Sequence, residues 1–316
     1  MNTAISSLKR EFPGIVAENV RLSEISRWRI GGVADCVVSP RSTEELAALR
    51  SWIHARGIPS VIFGETSNLL FSDEGLKALA IKVGRAFSNV TVEGNSIHAL
   101  AGSWVPGLAR TAMLAGLTGL EHTCGIPGTL GGLVCMNGGS QRKGIGTHVT
   151  KVQSIDARGM LVERGRQDCG FAYRTSVFQG NNEVIAKIEL CLDFATDKRA
   201  VRREMLGIMR DRRSKFPQRL PNCGSVFVSN PAMYADYGPP GKVIESVGLK
   251  GHRIGNAVVS PMHANFIVND IEGGGARAEE VLQLIALIKA RVAQQTGYVM
   301  AVEVRHVLPN GEIVAL

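Results

Sequence analysis

The sequence predicts an α+β protein of more than one domain, on three observations. Its 316 residues exceed the size at which a single hydrophobic core stops growing, so two or three domains are expected. From Trp28 to about Ala195, short alternating strands mix with a few helices. Beyond a basic helix near Met205 comes a smaller α/β pattern that ends on a strand. Hydrophobic residues make up 45% and charged residues 20%, the balance of a folded globular chain.

In "RWRIGGVADCVVSP" an IGG turn leads into a β-like segment ending at Pro40. The helix "STEELAALRSWIHARG" follows, with Ser42 or Thr43 as its cap, Glu45 as first-turn acidic charge and Gly57 as its stop. Val61 to Phe63 is a buried strand that breaks at Gly64 into a polar turn. This strand, helix, strand opening suits either an α/β or an α+β fold. After Asp73, "ALAIKV", "VTVEG" and "SIHALAG" are short strands, and "VPGLARTAMLAG" is helical. "VTKVQSIDARGMLVERG" reads as a hairpin and "EVIAKIELCLDF" as one long alternating strand.

The stretch from Arg202 to Arg219 is strongly basic. Met205, Leu206, Ile208 and Met209, with Val201 before them, fit one core-facing side of a helix whose basic side is solvated. Downstream, "PGKVIESVGLKG" is a short helix, "ANFIVND" a strand, Ala278 to about Thr296 a long amphipathic helix, and "YVMAVEVRHVLP" an alternating strand. The segments expected are 1–27, 28–195, 196–297 and 298–316.

A net charge of +8 suits an anionic ligand, a nucleic acid or an acidic surface. The basic helix has no interleaved aromatic platform, so no nucleic-acid partner is expected. Six cysteines without CxxC spacing argue against a disulfide scaffold or a zinc module, and no metal is expected. The N-terminus lacks the apolar run of a signal peptide and no segment suits a bilayer span, so a reducing cytoplasm is the expected location. The sequence does not indicate an oligomeric state.

Two glycine-rich loops ask for a ligand. "GETSN" (Gly64, Glu65, Thr66, Ser67, Asn68) follows a buried strand and offers backbone N–H groups of the kind that form anion nests. "GIPGTLGG" (with Gly125, Ile126, Pro127, Gly128, Gly131 and Gly132) lets backbone approach a diphosphate without interference from Cβ atoms. Each alone also reads as a tight turn; together they suggest a dinucleotide. Neither is a G-x-G-x-x-G fingerprint, and no G-x-x-x-x-G-K-[ST] occurs.

Read in order, "RIGGVAD", "VIFGETSNLLFSD", "GLEHTCGIPGTLGGLVCMNGG", "YRTSVF", "GSVFVSNP", "GLKGHRIGNAVVSPMHANFIVN" and "AVEVRHV" resemble the successive motifs of the UDP-N-acetylenolpyruvoylglucosamine reductase family, from about Arg29 to Val307. The resemblance implies an FAD-binding region of the vanillyl-alcohol-oxidase / p-cresol-methylhydroxylase type, in two α+β subdomains, at 28–195. It further implies a smaller α/β substrate domain at 196–297 and a returning C-terminal strand at 298–316. It implies that the two glycine loops, with Asn137, hold FAD, and that NADPH reduces the enolpyruvyl group of a UDP-sugar through it. The short interval from Phe178 to Cys191 resembles the subtype lacking a long substrate-covering loop.

By the same resemblance, Ser225 is the proton donor, Arg174 lies beside the reacting carboxylate and Glu303 stabilises the intermediate; Tyr173, Lys215 and Asn230 bind substrate. Cys223, two residues from Ser225 and intrinsically more acidic, falls on the same side of an extended chain and stays an alternative. His263 is given no chemical role. The sequence departs from the family pattern at Thr66, where glycine is usual, at a threonine often found before the IGG turn, which is Ser26 or absent depending on alignment, and at Val228 and Ser229, which replace a substrate-placing lysine. A reductase for another nucleotide-sugar or enol ether, and a non-catalytic flavin-binding paralogue, are the alternatives.

Overall fold

The computed structural model describes residues 2–316; Met1, where the expected N-terminal segment begins, lies outside the described residues. The chain forms two compact units. One holds the residues up to Ala17, Val37–Glu65 and Ala80–Arg212, and the other holds Glu18–Cys36, Thr66–Leu79 and Arg213–Leu316.

The first unit is built on an antiparallel sheet of five strands, in the order Leu161–Gly165, Val149–Ile155, Val184–Cys191, Ser96–Leu100, Val90–Glu93. The expected hairpin is present, with Leu161 opposite Ile155 and Gly165 opposite Lys151. Ile97 and Ala99, and likewise Ile188 and Leu190, are buried at alternate positions, as strand geometry requires.

The strand expected to alternate through Phe194 differs in two respects. A register shift between Ile185 and Lys187 leaves Val184, Ile185 and Ala186 buried in succession, a local loss of period that a bulge produces. The strand then stops at Cys191, and Asp193–Phe194 pairs instead with Leu117–Thr118.

Helix Thr43–Ala55 begins where the sequence places it: the Ser42 hydroxyl accepts the Glu45 N–H at 3.2 Å. It buries Leu46, Leu49, Trp52 and Ile53. The buried Arg50 is satisfied through Nη2, which donates to the Asn182 carbonyl at 2.8 Å.

In the basic helix Lys198–Lys215 the buried stripe is Val201, Met205 and Ile208, whereas Leu206 and Met209 are exposed, correcting the broader face read from the sequence. At about 100° per residue, positions three and four apart share a face, and residues 206 and 209 each follow a buried neighbour by one step. The same period brings Arg212 inward, so close to Gly125 that a Cβ there would lie 2.4 Å from the arginine Cδ.

In the second unit, helix Ala278–Thr296 packs Val281, Leu284, Ile285, Ile288 and Val292 into a core with Trp28, Leu70, Phe227, Met233, Val243 and Ile244. Asp73 supplies the negative charge at its start, accepting the Ala278 N–H at 2.9 Å and the Glu279 N–H at 3.3 Å. Arg253–Ile254, Ala257–Val259 and Ile267–Asn269 form one antiparallel sheet. In another, Arg305–Val307 lies between Ile313–Ala315 and Leu69–Phe71, parallel to the latter.

The strand expected from Tyr298 onward keeps its alternation of burial, with Met300, Val302 and Val304 inside and Val299 and Ala301 outside. Only Arg305–Val307 joins a sheet, however. Ahead of it, Val302 bridges Phe227, with Glu303 N–H donating to the Val226 carbonyl at 2.8 Å and Val228 N–H to the Ala301 carbonyl at 2.9 Å. Its partner is thus the segment following Ser225.

Candidate active site

In the first unit the two glycine loops meet. Gly64 follows strand Ser60–Phe63, and a Cβ on it would lie 2.4 Å from Thr129 Oγ1, so only glycine fits. Thr129 caps the short helix Leu130–Cys135 by accepting the Gly132 N–H at 3.3 Å. Gly131 donates to the Ala101 carbonyl at 2.8 Å, and a Cβ there would stand 2.8 Å from Ala101 Cβ. Gly128 accepts from Val105 N–H at 3.0 Å, and Ile126 N–H donates to Thr123, which shapes the turn around Gly125 and Pro127. Glu65 closes the first loop, half-buried.

Beyond the short helix, Asn137 makes a hydrogen bond within the protein at each end of its amide. Nδ2 donates to the Ala172 carbonyl at 2.8 Å, and Oδ1 accepts the Gly146 N–H at 3.0 Å. Ala172 and Thr175 exchange both backbone hydrogen bonds at 3.1 Å, which makes Tyr173 and Arg174 the tip of a tight turn. Arg174 sits at φ 54°, a conformation that costs a branched or long side chain energy and recurs at functional sites. Its turn is anchored by Ser176 Oγ and Gln179 Nε2, both donating to the Cys135 carbonyl, and Tyr173 projects into solvent. The unit therefore gathers the glycine tract, Asn137 and Arg174.

The second unit gathers Thr66–Asn68, Ser225 and Glu303. Thr66 is buried at φ 54°, a conformation that favours glycine; its hydroxyl accepts the Arg27 N–H at 2.9 Å. Asn68 Nδ2 donates to the Glu303 carbonyl at 3.0 Å, and the Asn68 carbonyl accepts the Arg305 N–H at 3.0 Å. Ser67 lies between them, half-buried. Ser225 is half-buried, and among the described residues no hydrogen bond engages its hydroxyl, which is therefore not committed to its own turn.

Cys223 is corrected as an alternative acid. Gly224 lies at φ 80°, so the chain is not extended and the two side chains do not share a side. The Cys223 thiol donates to the carbonyls of Thr66 at 3.4 Å and Leu69 at 3.3 Å, and burial pushes its pKa up to about 12.

Asn230 caps helix Pro231–Tyr237 through Oδ1, which accepts from Ala232 and Met233, so Nδ2 is what it retains for a ligand. Lys215 is exposed at the end of the basic helix. His263 accepts the Asn265 N–H on Nδ1 at 3.3 Å and packs on Phe216 and Phe266; burial lowers its pKa.

Residues 216–307 match the family model for the C-terminal domain of UDP-N-acetylenolpyruvoylglucosamine reductase, and residues 34–165 match the FAD binding domain model. The chain is 46% identical to UDP-N-acetylenolpyruvoylglucosamine reductase 1 of Corynebacterium glutamicum, over 97% of this chain and 90% of that one. The chain belongs to the UDP-N-acetylenolpyruvoylglucosamine reductase family. The enzyme of that name from Heliobacterium modesticaldum is 37% identical over 97% of this chain and 95% of its own. The crystal structure of UDP-N-acetylenolpyruvylglucosamine reductase from Thermus caldophilus superposes with a TM-score of 0.76 at 29% identity, over 91% of this chain and 97% of that one.

FAD is accordingly the cofactor of this reductase-family chain, and its residues fit it. The contacts of Gly64 and Gly131 leave bare backbone where side chains would otherwise project. Beside the tract, buried His122 accepts the Ser140 N–H on Nδ1 at 3.3 Å, so its neutral ring carries the proton on Nε2. Among the described residues Nε2 has no partner, as expected of a site that receives a polar ligand. Burial, with Lys143 and His148 adding repulsion, brings the His122 pKa down to about 4.

Sequence reasoning passed over His122 and Arg212. The 201, 205, 208, 212 spacing was the available signal for Arg212. His122 lies within the glycine motif, but its partner Ser140 is 18 residues away and the pairing has no signal in the sequence. Among the described residues no cluster suits a metal ion, and no helix is long and apolar enough to cross a membrane.

Proposed function

We propose that this chain reduces UDP-N-acetylenolpyruvoylglucosamine to UDP-N-acetylmuramate in peptidoglycan precursor synthesis, in the cytoplasm, with NADPH as the reductant. The observation that carries this reading is the Ser225 hydroxyl, unengaged on a loop that hydrogen bonds tie to the Glu303 segment.

Reducing a vinyl ether beside a carboxylate needs a hydride at the far carbon and a proton at the carbon bearing the carboxylate, with the intervening charge held as an enolate. Bound FAD, reduced by NADPH, supplies the hydride. Ser225 Oγ–H gives the proton to the carboxylate-bearing carbon and regains one from solvent; a poor acid in water, the hydroxyl serves only if it is positioned against a strongly basic carbon. The planar guanidinium of Arg174 pairs with the carboxylate where charge builds up. Glu303 stabilises the same intermediate. Tyr173, Lys215 and the Asn230 amide nitrogen hold the UDP-sugar, an anion that suits the chain's positive balance. Only residues 180–183 join the turn Val177–Gln179 to strand Val184–Cys191, which supports the subtype without a long covering loop.

A second reading, a reductase for another nucleotide-sugar or enol ether, is favoured by Val228 and Ser229 standing where the family has its lysine. Anaerobic stopped-flow absorbance separates the two. Flavin reduced by NADPH is mixed with UDP-N-acetylenolpyruvoylglucosamine; rapid reoxidation with formation of UDP-N-acetylmuramate is expected. Reduced flavin that persists in the presence of this sugar would turn the search to another acceptor.

A further inference from the structure

We infer that Asn265 is a positioning residue for Ser225; this rests on the reading of Ser225 as proton donor. Asn265 is 5% exposed, and nothing in its own position suggests contact with a ligand. Among the described residues, all its hydrogen bonds save one run to the two residues after Ser225. Val226 N–H donates to the Asn265 main-chain carbonyl at 2.8 Å, Phe227 N–H donates to Oδ1 at 2.9 Å, and Nδ2 donates to the Phe227 carbonyl at 3.0 Å. The remaining bond is from its own N–H to His263 Nδ1 at 3.3 Å.

The amide thus serves Phe227 as a strand's backbone would, one acceptor and one donor satisfying both main-chain groups of a residue that is 2% exposed. The other edge of the segment is taken, since Val226 and Val228 bond the Ala301–Glu303 stretch. The loop's other end is fixed a few residues further along that stretch, where Asn269 N–H donates to the Pro221 carbonyl at 3.0 Å, and within the loop Asn222 Oδ1 accepts the Gly224 N–H at 2.9 Å. Ser225 therefore sits on an arch with both feet on Asn265–Asn269, its main chain held and its hydroxyl left for chemistry.

Proton delivery requires the hydroxyl within hydrogen-bond reach of the accepting carbon's lone pair, and an ångström of displacement costs about a hundredfold in rate. A carboxamide is needed because the position must accept from one backbone group and donate to the other. Aspartate would face the Phe227 carbonyl with a second acceptor, and alanine would leave two buried groups unpaired.

The test is stopped-flow measurement of both half-reactions in the FAD-loaded protein, for wild type, Asn265→Ala, Asn265→Asp, Ser225→Ala and Ser225→Ala/Asn265→Ala. Flavin reduction by NADPH in the Asn265 variants is expected within about twofold of wild type, and the substrate concentration at half-maximal reoxidation within about threefold. The limiting rate of reoxidation by UDP-N-acetylenolpyruvoylglucosamine is expected to fall about 10- to 100-fold. In the Ser225→Ala background, the second substitution is expected to cost nothing further, because its effect passes through the missing hydroxyl.

An additive loss in the double variant, or an equal fall in both half-reactions, would show that Asn265 acts only on the fold and would overturn the inference. So would unchanged reoxidation in both single variants. Asn265→Asp keeps one of the two bonds and serves if Asn265→Ala does not fold. A wild type that the sugar fails to reoxidise, or a Ser225→Ala variant at full rate, overturns the reading of Ser225 itself, and the inference with it.

Discussion

Asn137 joins the glycine tract to the turn of Arg174 by donating from Nδ2 to the Ala172 carbonyl at 2.8 Å. Because Oδ1 is also used, by Gly146, substitution by alanine removes two hydrogen bonds. Asn137→Ala should lower stability by about 1–3 kcal/mol in urea titrations. It should slow substrate reduction more than flavin reduction, since the turn it releases carries Arg174. A variant that slows both half-reactions equally would separate Asn137 from the Arg174 turn.

Ser225→Ala is expected to leave FAD reduction by NADPH intact and to slow reoxidation by the UDP-sugar by roughly 10²- to 10⁴-fold. Equal loss of both half-reactions would remove Ser225 as the specific proton donor.

Cys223→Ala tests the neighbouring thiol. Its Sγ is buried against the carbonyls of Thr66 and Leu69, so the expected cost is stability, about 1–2 kcal/mol, with the half-reactions retained. A loss of reoxidation matching that of Ser225→Ala, in a folded and flavin-loaded protein, would return the thiol to consideration.

Gly131→Ala places a Cβ 2.8 Å from Ala101 Cβ. It should destabilise the protein by about 1–3 kcal/mol and lower the flavin-to-protein absorbance ratio, with partial recovery when Ala101→Gly is added. No change in that ratio would mean that the helix Leu130–Cys135 yields to admit the methyl group.

Acid should destabilise the fold before its carboxylates titrate. His122, at about 4, and His263 and His306, also lowered by burial, have folded pKa values below the unfolded value of about 6.5. Between these values the unfolded chain binds more protons, so stability is full above about pH 6.5 and declines as pH falls. His122 contributes up to about 1.4 kcal/mol per pH unit, until it protonates in the folded state. Urea unfolding from pH 7.5 to 5 should show this slope, reduced in His122→Phe. An identical slope in that variant would assign the effect elsewhere.

Elements whose cause is local were legible in the amino-acid sequence. Ser42, Glu45 and Gly57 bracket the helix Thr43–Ala55 because capping and left-handed stops act within a few residues. Alternation fixed which of residues 299–304 face inward, since strand period is a property of the backbone. The glycine tracts were legible because only glycine meets a close-approach requirement, and the motif order carried the family.

Tertiary structure alone decided what each of those elements meets. Val302 of the inward-facing residues pairs with Phe227 after Ser225, and the alternation in Val184–Cys191 yields to a bulge. Leu206 and Met209 are left outside, and the buried stripe runs through Val201, Met205 and Ile208. Gly224 turns the chain so that Cys223 is buried while Ser225 keeps its hydroxyl unengaged, and the Asn265 amide finds Phe227 across 38 residues. Such partners are chosen by burial and by the need to satisfy every enclosed backbone group, and both depend on chain segments distant in sequence.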